Sequence, residues 1–343
     1  MAVSWTPSVR LKQIALERAQ PLSASLEITY RCNWRCVFCY NPRHHDRRGL
    51  STAQWLGVLD DLRELGTLYV ALTGGEALTH PDFFGIARAV RERAFALRIL
   101  TNGALVTDKA ADEIAALQPM AVEMSIHGSR AETHDRATAT PGSFDAMLRG
   151  VDRLVERGVG VVLKTPLTWM CEEEIDSIRS LTEERGVPWR VDPVLTPRDD
   201  GDPGPLAYRA SPEAIERMYG RLPGSELPHE KRQKGGLNCG LGRTTIAVDP
   251  EGNVFPCLQW RKVPLGNVRE TRLRDLWLSS PARAEAAAAA GTANDRLIEA
   301  GGAVASFPFC PALALQRTGD ALRVTDDHRE QAEIVERLRL AGP

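Results

Sequence analysis

The chain has 343 residues and a formal net charge of −2 at pH 7. This balance gives no reason to expect nucleic acid or an anionic membrane surface as the main partner. No apolar run reaches the roughly 18 residues of a membrane span, and the N-terminus lacks a signal peptide's apolar core. We therefore expect a cytoplasmic protein, in which seven cysteines point to metal or redox chemistry before disulfides.

The segment 1–24 is predicted to cap the edge of the neighbouring domain and is too short for a separate peptide-binding domain. From residue 25 to about 195, strand and helix patterns alternate six times. The predicted strands are 25–31, 68–73, 97–101, 121–126, 160–166 and 188–194. Ser51 with Gln54 predicts a capping box at the start of the first intervening helix, and Gly66 predicts its end. This alternation predicts a parallel sheet with right-handed crossovers.

Three cysteines, Cys32, Cys36 and Cys39, follow the first strand within eight residues. Thiolates this dense can converge on one soft metal centre. Zinc would need a fourth ligand, for which His44 or His45 is available. A cubane iron–sulfur cluster held by three cysteines would instead leave one iron open. The spacing favours a metal without deciding which.

Polar residues end the next strands, where a β/α barrel builds its sites. Gly74 and Gly75 after the second strand let the backbone approach a ligand closely, and Glu76 then offers a carboxylate. Asn102 ends the third strand and Ser125 the fourth. Each of these features is also compatible with an ordinary turn or helix cap.

Lys164 closes the fifth strand and Cys171 follows at the start of the next helix, both near the expected barrel mouth. A free cysteine is commonly a small buried hydrophobic residue, which is the alternative for Cys171. We assign the stretch 134–144, which lies between the fourth and fifth strands, to structure rather than chemistry.

Residues 196–238 are dense in proline, glycine and aspartate, which predicts a linker, with a short helix near 211–221. Cys239 precedes a predicted β-hairpin and Cys257 follows it, so the hairpin can bring both thiols to one centre. Cys310 comes after an alanine-rich segment.

The three-cysteine loop, with the aromatic Tyr40 after it, resembles that of the radical S-adenosylmethionine (SAM) superfamily. In that family the cysteines bind a 4Fe–4S cluster whose open iron is chelated by the amino and carboxylate groups of SAM. The stretch 74–76 resembles the family's Gly-Gly-Glu-Pro motif, with Ala77 in place of proline. The resemblance implies a partial (β/α)6 TIM barrel of the α/β class. It assigns these residues to cofactor binding: Tyr40, Gly74, Gly75, Glu76, Asn102, Ser125 and Lys164.

The C-terminal half resembles the SPASM or twitch extension of that family, which holds auxiliary iron–sulfur clusters. Cys239, Cys257 and Cys310 are three ligands where a twitch domain supplies four. We therefore expect one auxiliary iron–sulfur cluster with a non-cysteine or open fourth position. Cys171 is the alternative fourth ligand, or a hydrogen-atom donor of the kind that peptide-epimerising members use.

The expected organisation has five parts. They are an N-terminal segment 1–24, the radical SAM barrel 25–195, a linker 196–238, the auxiliary-cluster domain 239–320 and a C-terminal helix 321–343.

The resemblance implies an enzyme that takes one electron from a flavodoxin or ferredoxin and cleaves SAM reductively. The resulting 5′-deoxyadenosyl radical would modify a peptide or protein by cross-linking, epimerisation, splicing or oxidation. Either the barrel or a separate peptide-recognition protein would capture that substrate. The alternatives are a tetrapyrrole or small-molecule tailoring enzyme, and a non-catalytic iron–sulfur or zinc protein.

Overall fold

The structure is a computed structural model that describes residues 7–41, 43–45 and 48–341. Within these residues nine strands form one sheet. In chain order they are β1 Ser23–Thr29, β2 Tyr69–Gly74, β3 Ala96–Thr101, β4 Ala121–Ser125, β5 Val161–Pro166, β6 Trp189–Asp192, β7 Thr245–Val248, β8 Asn253–Phe255 and β9 Gly266–Asn267. Their order across the sheet is β6-β5-β4-β3-β2-β1-β7-β8-β9.

Thirteen α-helices lie in the same described part of the chain. They are α1 Pro7–Arg18, α2 Thr52–Glu64, α3 Phe83–Glu92, α4 Asp108–Leu117, α5 Ala131–Thr138, α6 Ser143–Glu156, α7 Ile175–Glu183, α8 Pro212–Gly220, α9 Leu273–Ser279, α10 Pro281–Ala300, α11 Gly302–Ser306, α12 Pro311–Thr318 and α13 Asp326–Ala341. None of the described helices has both the length and the apolar character to cross a bilayer.

The first six strands run parallel and neighbour one another in chain order. Their register aligns one row of buried side chains across the sheet: Leu26, Leu72, Ile99, Val122 and Val161. This row belongs to the main core, into which the helices between the strands also pack. The predicted α/β partial barrel with six parallel strands is confirmed.

Helix α2 shows how local sequence sets these units. The Ser51 side chain accepts a hydrogen bond from the Gln54 N–H, and the Gln54 side chain accepts one from the Ser51 N–H, which is the predicted capping box. Trp55 and Leu59 are fully buried on one face of the helix. Gly66, with φ of 76°, follows the helix and turns the chain toward β2.

The C-terminal hairpin joins the barrel's own sheet. Strand β7 pairs in parallel with β1, with Ala24 opposite Ile246 and Leu26 opposite Val248, while β8 and β9 continue antiparallel. The sequence predicted a hairpin here but not its attachment to β1. The alanine-rich segment forms α10, and the predicted C-terminal helix is α13, which packs against α8 and α11.

Candidate cluster and cofactor site

The cysteine loop leaves the C-terminal end of β1 and lies against the end of α5. The Arg35 N–H donates to the Thr138 carbonyl at 3.0 Å, and the Val37 N–H donates to the Ala137 carbonyl at 3.0 Å. The last carbonyls of a helix have no partner within it, so the loop satisfies the end of α5. The segment 134–144 thus supports the loop that holds the three thiols.

Cys32, Cys36 and Cys39 are partly buried in this loop. Burial raises the pKa of the Cys32 thiol to about 11; the N–H of Trp34 opposes this shift, and the negative charges of Glu76 and Cys39 add to it. Burial also raises the pKa of Cys36 and of Cys39. A cationic cluster would supply the positive charge that three neighbouring thiolates need, so the donor set fits iron and sulfur.

The zinc alternative demands a tighter arrangement. Four ligands around one zinc ion place thiolate sulfurs roughly 4 Å apart. Among the described residues, which include His44 and His45, no group of three His, Cys, Asp or Glu side chains is placed to hold a single metal ion.

The Gly-Gly-Glu loop is hydrogen-bonded to the start of the cysteine loop. The N–H of Gly75 donates to the Thr29 carbonyl at 2.8 Å, and the N–H of Glu76 donates to the Arg31 carbonyl at 2.7 Å. A Cβ atom at Gly74 would come within 2.1 Å of the Thr29 oxygen, and one at Gly75 within 2.4 Å of the Arg31 oxygen. Both glycines are therefore required for this close approach of two backbones.

The Glu76 carboxylate is buried and held by its neighbours. The Thr101 hydroxyl donates to Oε1 at 2.6 Å, and the Asn102 N–H donates to Oε2 at 2.6 Å. Burial raises the pKa of Glu76, although these hydrogen bonds oppose it. The Asn102 side chain also donates to Asn33 Oδ1 at 2.7 Å, inside the cysteine loop. Glu76 and Asn102 thus lie together beside the cysteine loop, and their binding of a cofactor stays a prediction.

Ser125 and Lys164 lie opposite each other in the register of β4 and β5. The Lys164 ammonium forms an ion pair with the buried Glu123, which also pairs with Arg98. Burial raises the pKa of Glu123, but the two cations outweigh it and lower the pKa overall. No sequence motif marks Arg98 or Glu123 as site residues. The signal that was available is a charged residue inside each of two otherwise mostly apolar strands.

Tyr40 lies between the barrel and the C-terminal hairpin region. Its hydroxyl donates to Glu27 Oε1 at 3.1 Å, and its carbonyl accepts from the Asp199 N–H at 2.9 Å. Glu27 is fully buried and also accepts from Arg261 Nη2 at 2.5 Å. Tyr40, directly after the third cysteine, is thereby connected through Glu27 to Arg261, which lies 221 positions later in the chain.

Cys171 lies in the main core. Its side chain is 1% exposed, and its sulfur is 3.6 Å from the Thr168 carbonyl oxygen and 3.9 Å from that of Pro166. Burial raises its pKa, and the charges that reach it are those of Glu174 and Glu172. The structure does not bring it to the C-terminal cysteines, and its role as a donor or ligand stays a prediction.

The auxiliary cysteines are brought together by a residue that no motif singled out. Asn238, just before Cys239, donates from Nδ2 to the Phe309 carbonyl at 2.6 Å, and Phe309 precedes Cys310. Arg232 Nη2 donates to Asn238 Oδ1 and to the Phe307 carbonyl, each at 2.9 Å. An asparagine next to a cysteine was the only signal in the sequence.

Cys257 and Cys310 both pack against one small apolar cluster, while Cys239 is an exposed residue. Burial raises the pKa of Cys310 to about 12, and the charges of Cys257 and Cys239 add to the shift. Burial also raises the pKa of Cys257, which the positive charge of Arg261 opposes. The three thiols are thus close enough to interact, which fits one auxiliary cluster.

Comparison with known families decides between the remaining interpretations. The radical SAM superfamily matches residues 26–183, and the SPASM iron–sulfur cluster-binding domain matches residues 239–299. The chain belongs to the radical SAM superfamily. Membership implies a 4Fe–4S cluster and SAM as cofactors of this radical SAM protein, with an auxiliary iron–sulfur cluster in its SPASM domain.

Two relatives align with most of this radical SAM protein. Mycofactocin maturase MftC of Mycobacterium tuberculosis is 28% identical over 253 residues, covering 69% of this chain and 64% of MftC. The AdoMet-dependent heme synthase of Methanosarcina barkeri is 29% identical over 295 residues, covering 77% of this chain and 84% of the synthase. The chain thus spans a little under two thirds of the maturase's length.

A solved structure shares the fold. The native anSMEcpe structure with bound AdoMet and Cp18Cys peptide superposes with a TM-score of 0.71 at 14% identity, covering 94% of this chain and 97% of that one. At this identity the likeness shows that the two chains share a fold.

Proposed function

We propose that this protein is a radical SAM enzyme that cleaves SAM reductively and modifies a peptide or protein. The observation that supports it most directly is the pair of hydrogen bonds joining Gly75 and Glu76 to the start of the cysteine loop. They hold the buried Glu76 carboxylate close to the start of the loop that carries the three thiols. When bound, the reduced cluster and SAM supply a carbon-centred radical that removes a hydrogen atom from a C–H bond.

The chain's own residues orient the cofactor. Glu76, held by Thr101 and Asn102, would receive the amino group of SAM without having to reorganise. Ser125 and Lys164 on adjacent strands would meet its ribose or carboxylate, since the two residues are opposite each other in the register and the Lys164 side chain is 39% exposed. Cys239, Cys257 and Cys310 would hold the auxiliary cluster.

The peptide substrate is supported by two relatives and by the shape of the sheet. MftC is a maturase, and the fold relative anSMEcpe was solved with a peptide beside AdoMet. Strand β6 ends the sheet without a further parallel neighbour among the described strands, so no further strand closes the barrel on that side. A flavodoxin or ferredoxin would deliver the electron, and the barrel or a separate peptide-recognition protein would capture the substrate.

The first experiment tests the chemistry without knowledge of the substrate. The chain, reconstituted with iron and sulfide and reduced without oxygen, should convert SAM to 5′-deoxyadenosine and methionine. Replacing Cys32, Cys36 and Cys39 together with alanine should abolish this conversion, whereas Cys171→Ala, a matched single thiol, should leave it. Continued cleavage by the triple variant would show that the assignment is wrong.

A tetrapyrrole substrate is the second candidate, because the heme synthase relative is the more completely covered of the two. Mass spectrometry separates the candidates when the active protein is incubated in parallel with a porphyrin and with a candidate precursor peptide. A mass change in the porphyrin alone would overturn the peptide proposal while leaving SAM cleavage intact. A neighbouring gene for a short precursor peptide would favour the peptide.

A further inference from the structure

Two residues that follow the second auxiliary cysteine have buried donors without acceptors. The N–H of Trp260 donates to the Cys257 carbonyl at 3.1 Å, which closes a tight turn. The Trp260 side chain lies in the apolar cluster that also receives Cys257 and Cys310. Its indole Nε1 is buried and has no hydrogen-bond partner among the residues that the structure describes.

Arg261 is the second of these residues, and its side chain is 5% exposed. Nη2 donates to Glu27 at 2.5 Å, and the guanidinium carbon lies 4.9 Å from the centre of the Phe255 ring. Nε is 3.8 Å from Asp199 Oδ1, too far for a hydrogen bond, and Nη1 has no partner in the described part of the chain. Its positive charge acts on the Cys257 thiol.

Buried N–H groups in folded proteins nearly always have an acceptor. The orphan indole N–H of Trp260, in the apolar cluster that receives Cys257 and Cys310, therefore indicates an acceptor that is still to be bound. The apolar walls around Trp260, formed by Leu241, Ala286 and Ala290, offer no side-chain acceptor. Thiolate and sulfide sulfurs of a cluster accept hydrogen bonds. Together with net charge, these bonds set the reduction potential of the cluster.

We propose that the Trp260 indole N–H and the Arg261 guanidinium donate hydrogen bonds to sulfur atoms of the auxiliary cluster and raise its reduction potential. Reduction adds negative charge to the cluster, which these donors stabilise. Glu27 anchors Arg261 to β1, so the barrel itself positions one of the donors. The inference rests on the auxiliary cluster of the proposed function.

The test uses the full chain with Cys32, Cys36 and Cys39 replaced by alanine, so that only the auxiliary cluster is titrated. Trp260→Phe, Arg261→Lys and Arg261→Gln are reconstituted in this background and titrated with dithionite under EPR. Trp277→Phe is the matched indole control, because its N–H already donates to the Ala19 carbonyl at 2.8 Å. Arg337→Gln removes a remote charge that pairs with Glu216 at 3.1 Å.

We expect Trp260→Phe and Arg261→Gln each to lower the reduction potential of the auxiliary cluster. At a given solution potential the ratio of reduced to oxidised cluster should fall about tenfold, which corresponds to ~59 mV for a one-electron couple. Arg261→Lys should fall between Arg261→Gln and the parent, and both controls should match the parent. Exchange into D2O should shift the Fe–S Raman bands of the parent, because the donated hydrogens exchange. The shift should be smaller in Trp260→Phe, which lacks the indole N–H.

Unchanged potentials with retained iron would overturn the inference and leave the proposed function intact. A shift confined to Arg261→Gln would show an effect of charge alone and overturn the hydrogen bonds. Absence of auxiliary iron in the parent would overturn the inference and the auxiliary cofactor together. SAM cleavage is measured separately with the natural chain, so the radical chemistry of the proposed function is tested independently of the auxiliary cluster.

Discussion

Asp199 should make the stability of the chain fall as the pH rises toward neutrality. It lies between the barrel and the C-terminal hairpin, its side chain is 17% exposed, and Arg261 Nε is 3.8 Å away. Burial raises the pKa of Asp199 to about 7; Arg261 opposes the shift, and the negative charges of Glu27, Asp200 and Asp249 add to it. The folded protein therefore keeps a proton that the unfolded chain has already released.

The magnitude follows from the two pKa values. The ordinary value is 3.8 and the folded value about 7, a difference of roughly three units. Each unit is worth about 1.4 kcal/mol, so the free energy of unfolding should fall by up to ~4 kcal/mol between about pH 4 and pH 7. Asp199→Asn removes the ionisable carboxyl group, so the free energy of unfolding of the variant does not fall in this way. The variant should therefore become more stable than the natural chain by up to ~4 kcal/mol as the pH rises from about 4 to 7.

Urea denaturation of both chains, without cluster and with reductant, measures this difference from about pH 5 to pH 8. His127 and His134 are buried, and burial lowers the pKa of each, which makes stability rise with pH in both proteins. Subtracting the two curves removes that contribution. Asp200→Asn removes one of the charges that raise the pKa of Asp199, so this variant should reduce the pH dependence only in part. Parallel curves for Asp199→Asn and the natural chain would refute the reasoning.

Four further substitutions test the sites. Glu76→Gln should weaken SAM binding by about 10- to 100-fold through loss of a charged hydrogen bond, while the iron content stays nearly unchanged. Equilibrium binding and iron analysis measure the two effects. An undiminished affinity for SAM would contradict the prediction. Asn238→Ala should cost about 1–3 kcal/mol in urea denaturation and release auxiliary iron, because the Phe309 carbonyl loses its donor; full auxiliary iron would contradict it. Cys171→Ala should leave SAM cleavage and both cluster signals unchanged if the residue only fills the core; a lost auxiliary EPR signal would make it a ligand, and intact clusters with failed turnover a donor. Ala139 has φ of 48° at the end of α5, a left-handed conformation that is strained for alanine but not for glycine. Ala139→Gly should therefore stabilise the chain by about 0.5–1 kcal/mol and raise the urea midpoint. An unchanged or lower midpoint would contradict this.

Local patterns in the sequence were enough for the elements and for the first half of the site. The six parallel strands lie within two residues of their predicted bounds at each end, because alternating apolar periodicity and glycine stops are local properties of a chain. The position of the three-cysteine loop after β1, and of Glu76 and Asn102 after the next two strands, follows as well. In a parallel sheet the carboxyl ends of neighbouring strands meet at one edge.

What the sequence could not determine is which distant segments meet. The pairing of β7 with β1, the contact between Glu27 and Arg261 and the hydrogen bond from Asn238 to Phe309 each join positions at least 71 residues apart. Such contacts leave no periodic trace, since each depends on how whole elements pack and on which buried polar groups must find partners. Only the tertiary structure therefore places the barrel strand, the auxiliary cysteines and Arg261 in one connected region.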